Sequence, residues 1–136
     1  MHLGEFIQAV RERGRFSSAE EAERAIHAVF NVFGSRLSIG ETEDLVEQLP
    51  WRIGDYLLHP DSPEPFGLEE FLRRIAEREG VSRGEAERHA RAVLSVLTEA
   101  IAEKELDDVL AELPEDLRSF VKAAREKTLS GSSYEI

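Results

Sequence analysis

The chain has 136 residues, 41% hydrophobic and 33% charged, with a formal net charge of −11. That balance is too apolar for a disordered chain and too interrupted by charge for a membrane protein, and a chain of this length buries about 68–70% of its unfolded surface around one core. Having no cysteine, it has no disulfides, thiolate metal sites or cysteine nucleophiles, and its negative charge disfavours nucleic acid and anionic membranes as partners.

The start, Met1-His2-Leu3-Gly4-Glu5, lacks the basic-then-apolar order of an export signal, and no stretch reaches the ~18 apolar residues of a membrane span, so a cytoplasmic location is expected. The first helix sets Leu3, Phe6, Ile7 and Val10 on one stripe, with Gly14 suited to its stop. A second helix opens at Ser17 or Ser18, each followed three residues on by Glu20 or Glu21, which is capping-box spacing. Ala22, Ile26, Val29, Phe30, Val32, Phe33 and Leu37 ring so much of it that it must be buried between other helices, and Gly34 marks close packing or the helix end. A short third helix carries Leu45, Val46 and Leu49. Pro50 ends it and opens a fourth at its first position, with Ile53, Tyr56 and Leu57. Residues 59–65, with Pro60, Pro63 and Pro65, have loop chemistry.

The pattern then begins again. Leu3, Glu5, Phe6, Glu12, Arg13, Ser17 and Glu20 recur sixty-five positions later as Leu68, Glu70, Phe71, Glu77, Arg78, Ser82 and Glu85. One residue is dropped near Glu21. From there Ala22, Glu23, Arg24, Ala28, Val29, Val32, Glu41, Asp44, Leu49 and Pro50 recur sixty-four positions later as Ala86, Glu87, Arg88, Ala92, Val93, Val96, Glu105, Asp108, Leu113 and Pro114. Gly80 suits the stop of the first helix of this copy, its fourth helix carries Leu117, Phe120 and Val121 to about Lys127, and the small polar end is expected to fray. The expectation is an all-α tandem repeat of two four-helix units packed about a pseudo-twofold axis: residues 1–58, a linker at 59–66, residues 67–129 and a tail at 130–136. A ~60-residue unit alone buries only about 60% of its surface, so the two need each other.

These residues resemble the bacterial family catalogued as domain of unknown function 2267. The resemblance rests on Glu70-Phe71-Leu72 with Ile75-Ala76-Glu77-Arg78 and Gly80, on Ser82 and Glu85-Ala86 with Ala92-Val93-Leu94, on Leu113-Pro114, and on the parallel set in the first copy. The first copy departs from it with Arg15-Phe16 in place of Gly80-Val81. The resemblance implies a helical tandem fold without an assigned chemistry.

Candidate sites are few. Glu23 with His27, and Glu85 with His89, stand one helical turn apart, yet two ligands fall short of the three or four a zinc site needs, so helix-surface pairing is the reading preferred. Glu103, Glu105, Asp107, Asp108, Glu112, Glu115 and Asp116, partly echoed by Glu41 and Asp44, lack a calcium-binding loop with a central glycine and read as a solvated face. The pairs Glu12-Arg13 and Glu23-Arg24 are kept as Glu77-Arg78 and Glu87-Arg88, which suits ion pairs between helices or an anion grip. Arg11, Arg13 and Arg15 lack interleaved aromatics and make a poor nucleic-acid platform. Trp51, the single tryptophan, is either a half-buried staple or a partner anchor.

No residue set reads as catalytic, cofactor-binding or metal-binding. Trp51, Arg24 and Arg88 are the candidate partner-binding residues. The sequence identifies no activity; it favours a non-catalytic interaction or scaffold module whose partner is another protein or a second copy of itself. The alternative is a small-molecule binder or enzyme with a cleft between the copies, where Arg24, Arg88, Tyr56 or the histidines converge.

Overall fold

The computed structural model describes residues 1–134, with side chains through residue 126. Seven α-helices succeed one another: α1 (Leu3–Gly14), α2 (Ala19–Ser35), α3 (Ile39–Gln48), α4 (Leu68–Glu79), α5 (Arg83–Ala100), α6 (Glu103–Ala111) and α7 (Glu115–Tyr134). A 3-10 turn at Gly54–Leu57 lies between α3 and α4, and there is no strand among the described residues. The fold is all-α. The fraying expected over residues 130–136 concerns side chains, and at the last two positions a backbone, that lie outside the described residues.

Three of the helices start on a serine. Ser18, Ser38 and Ser82 each accept a hydrogen bond from the backbone N–H three residues on, at Glu21, Glu41 and Glu85, which caps α2, α3 and α5. Ser18, not Ser17, thus stands before α2 as Ser82 stands before α5, and Ser17 lies in the turn that precedes α2. A residue inserted inside a helix would rotate every later side chain by about 100° and scatter the apolar stripe, whereas a turn absorbs it. The stops also differ from expectation in one half. Arg15 (φ 56) takes the left-handed position after α1 that Gly80 (φ 68) takes after α4. Gly14 has another reason to be glycine: a Cβ there would overlap the Phe16 ring.

Helices α2 and α5 form the centre. α2 packs on α1, α4, α5 and the 3-10 turn, while α5 packs on α1, α4 and α7. Phe6, Val10, Ile26, Phe30, Phe33, Phe71, Leu72, Ile75, Val93 and Leu94 are fully buried in one core drawn from both halves. Phe33 and Phe71 meet edge to face at 6.0 Å, joining α2 to α4. At the other side α3 lies against α6. The Ser38 N–H donates to Glu112 Oε1 at 2.7 Å and the Ala102 N–H to Gln48 Oε1 at 2.7 Å, so the start of each helix is fastened to the end of the other and the pair runs antiparallel.

The fourth helix expected after Pro50 is absent from the first half. A turn through residues 51–53 leads into the 3-10 turn, and Arg52 (φ 78) has a backbone that no α-helix accommodates. Gly34 sets the path of this segment. A Cβ at Gly34 would overlap the Leu57 carbonyl, so the missing side chain lets the 3-10 turn lie directly on α2. Pro114 also stands one place earlier than expected: its carbonyl accepts from the Arg118 N–H at 2.9 Å, making it the cap of α7 rather than its first residue.

Candidate functional site

The turn after α3 is fastened to α2 by polar side chains. Glu23 accepts from Arg52 Nη2 at 2.8 Å and from the Tyr56 hydroxyl at 2.9 Å, while Asn31 Nδ2 donates to the Tyr56 carbonyl at 2.7 Å. The Tyr56 ring stacks on His27 with centroids 4.2 Å apart. Burial first, and then the hydrogen bond to the Glu23 carboxylate, raise the Tyr56 hydroxyl above its ordinary pKa. Held on this frame, Trp51 is 80% exposed. It is no half-buried staple.

Beyond the Tyr56–His27 stack, an open cleft of about 360 Å³ separates α2 from α4, lined by Arg24, His27, Ala28, Asn31, Arg78 and Glu79. Arg78 Nη1 donates to Asn31 Oδ1 at 3.3 Å across it. Arg24 is exposed, and its side chain makes no hydrogen bond among the described residues. Two guanidinium groups thus border one concave surface on a strongly acidic molecule, and a guanidinium there presents a planar fork of donors to carboxylates or phosphates.

Arg88 has a different task. It donates to the Gly14 carbonyl, stands over the Phe16 ring, and lies 3.2 Å from His89 Nε2, tying α5 to the end of α1. His89 Nδ1 is 2.9 and 3.0 Å from the two Glu79 oxygens, a buried pair with side chains 8% and 10% exposed. The helical-turn pairing suggested for His89 with Glu85 is therefore not formed, since Glu79 of α4 takes the imidazole and Glu85 stays with Ser82. Likewise Glu23 binds Tyr56 and Arg52, leaving His27 to its ring partner. Of the three candidate partner-binding residues, Trp51 lies exposed on the turn after α3, Arg24 borders the α2–α4 cleft, and Arg88, although exposed, has its guanidinium engaged by the Gly14 carbonyl.

The acidic face does not stay whole. Glu103 reaches Arg125 at 3.4 Å, but Glu41 is only 7% exposed, enclosed between α3 and α6 near Glu105, Asp108 and Glu112. Burial first, then the shared hydrogen bond and charge of Glu105, push the Glu41 carboxyl up to about 9. The sequence did carry a sign of this placement, because Ser38 and Glu41 have capping-box spacing and put Glu41 in the first turn of α3.

A family model described as an uncharacterized conserved protein, DUF2267, matches residues 4–120, from the first helix into the last. The chain belongs to that family. In this DUF2267 fold the matched span contains the Trp51 turn, the α2–α4 cleft and the α3–α6 junction. No curated protein matches the chain. Among the described residues no helix is long and apolar enough to cross a membrane.

Proposed function

We propose that the chain is a non-catalytic protein-binding module whose docking surface runs from Trp51, past the Tyr56–His27 stack, to Arg24 and Arg78. One observation carries this reading: a tryptophan is 80% exposed on a turn fixed by the Arg52–Glu23 ion pair. Exposing an indole forgoes the ~1.5–3 kcal/mol that a large apolar side chain gains on burial, and a rigid aromatic anchor loses little entropy when a partner covers it. Tryptophan and arginine are also the residues on which binding energy concentrates.

A second copy of the chain is the first partner to test. Trp51 is the single tryptophan, so its emission reports directly on its own surroundings. Raising the concentration is expected to shift that emission to shorter wavelength as light scattering records a larger mass, and Trp51→Ala is expected to abolish the mass increase. Unchanged emission and mass across the range would exclude self-association by this surface. Screening for an acidic protein partner with the same fluorescence signal then tests the other arm.

We further infer that the two halves are related by a pseudo-twofold axis. Two pairs of hydrogen bonds support it. Arg13 Nη1 donates to Ser95 Oγ at 3.3 Å, and the corresponding Arg78 Nη1 donates at 3.3 Å to Asn31, which corresponds to Ser95. The Ser38–Glu112 and Ala102–Gln48 bonds correspond in the same way. A second functional reading rests on the cleft itself. Its two arginines and Asn31 suit a small carboxylate or phosphate ester, and a thermal shift with one such class, lost in Arg24→Ala, would favour it.

A further inference from the structure

The junction of α3 and α6 holds a group of carboxylates that the docking surface does not use. Glu41, Glu105 and Asp108 each offer an oxygen, and these oxygens all lie within 4.8 Å of one another. Gln48 Nε2 donates to Glu105 Oε1 at 2.8 Å and turns that carboxylate. Its other oxygen, Oε2, and Glu41 Oε2 are both buried without a hydrogen-bond donor. Glu112 is held apart by the Ser38 N–H and hydroxyl, both at 2.7 Å.

Elsewhere the molecule answers half-buried carboxylates with arginine. Glu70 is paired with Arg73 and Arg74, and Glu87 with Arg83 and Arg91. No Lys or Arg forms an ion pair with Glu41, Glu105 or Asp108 among the described residues. Buried carboxylate oxygens that lack donors and cationic partners call for a proton or a metal ion. The geometry suits a metal: Glu41 is 7% exposed and sits in the cluster, whereas Asp108 is exposed and leaves a way in from solvent.

We propose that Glu41, Glu105 and Asp108 bind one hard divalent cation of calcium size, bridging the two halves of the chain. Only oxygen is offered, which favours calcium-like ions over zinc or copper. Three oxygens within 4.8 Å of one another fit around a calcium ion at about 2.3–2.6 Å, and calcium accepts an irregular set of carboxylates and water, whereas magnesium demands near-ideal octahedral geometry at about 2.0–2.1 Å. Water entering beside Asp108 fills the remaining positions. The solvated face expected from the run of acidic residues is thus, at Glu41, the inner wall of a site, because α6 folds back over it. This site is independent of the Trp51 surface.

The test is calorimetric titration of the full chain, first stripped with EDTA, using calcium chloride, manganese chloride and magnesium chloride in turn, with melting curves run alongside. One calcium per chain is expected, with a dissociation constant below about 1 mM, the weak end of protein calcium sites, and a higher Tm. Magnesium should bind more weakly than calcium. Glu41→Gln and Asp108→Asn should each weaken calcium about 10-fold or more, given that loss of an outer hydrogen-bond partner alone costs 10–100-fold at metal sites. Glu43→Gln, an exposed carboxylate on the same helix, should leave it unchanged. Glu41→Gln replaces a buried carboxyl that must take up a proton on folding in EDTA with a neutral amide of the same shape, so its Tm in EDTA should match or exceed the parent's, separating lost binding from lost folding. No heat and no Tm response at millimolar calcium or manganese would overturn the proposal and leave the carboxyls sharing a proton. Equal weakening by Glu43→Gln would overturn it in favour of general charge screening.

Discussion

Under the proposed pseudo-twofold relation Gly34 on α2 matches Thr98 on α5, and the elements that pack near these two positions differ. In the first half Leu57 presses its carbonyl into the space where a Gly34 Cβ would stand, and the segment closes as a short 3-10 turn. In the second half Thr98 donates to the Ser95 carbonyl at 2.7 Å, and Val121, the counterpart of Leu57, belongs to the long helix α7. Thr98 and Val121 line a groove of about 420 Å³ together with Leu106, Leu110 and Lys122. Trp51 is exposed on the turn of the first half, whereas Glu115, sixty-four positions later, opens helix α7. Arg24 and Arg88 show the same divergence: one borders a cleft and its counterpart bonds a backbone carbonyl. Buried positions from both halves carry the fold, and under the docking proposal it is the positions where the halves differ that carry the partner surface.

The comparison breaks first in the core the halves share. Phe6→Ala and Phe71→Ala are each expected to cost about 3–5 kcal/mol in denaturant unfolding, since both rings are fully buried. Equal losses would show that the common core carries both halves alike. Gly34→Ala should cost about 1–3 kcal/mol by forcing Leu57 off α2, while Thr98→Gly at the matching place should leave the Trp51 emission unaltered. Next comes pH. In EDTA, Glu41 holds its proton in the folded state above the ordinary carboxylate range, so the stability it adds is complete in acid and is lost as pH rises toward about 9. The melting temperature should therefore fall over that window, with a shallower slope in Glu41→Gln. Smaller again are the two left-handed caps. Gly80→Ala should lose about 1–2 kcal/mol and Arg15→Gly gain about 1 kcal/mol, as measured by chemical denaturation. Smallest is Trp51→Ala, within about 0.5 kcal/mol of the parent because the ring touches little of the fold, although docking should be lost.

Much of the fold is legible because it depends on short-range spacing. The stripes through Phe6 and Phe71 and the serines before α2 and α5 are local signals, and they mark helices that the structure contains. Where the reading fails, a distant residue has the deciding role. Nothing near Pro50 shows that Leu57 will lie on Gly34, so the proline promises a helix where there is a turn. Nothing beside Arg88 reveals that the Gly14 carbonyl awaits it. Trp51 is legible as a candidate but not as exposed, since exposure depends on which neighbours arrive.

The sequence by itself determined seven of the eight helices it promised, the serine starts of α2 and α5 and the apolar faces that had to be hidden, because backbone capping and hydrophobic periodicity act over three or four residues. Tertiary structure alone decided which polar groups are enclosed and which are free. Glu41 and Asp44 look alike along α3, yet α6 covers the first and leaves the second in water. Burial is a property of the packed pair of helices, and the free energy of a carboxylate depends on that burial more than on its place in the chain.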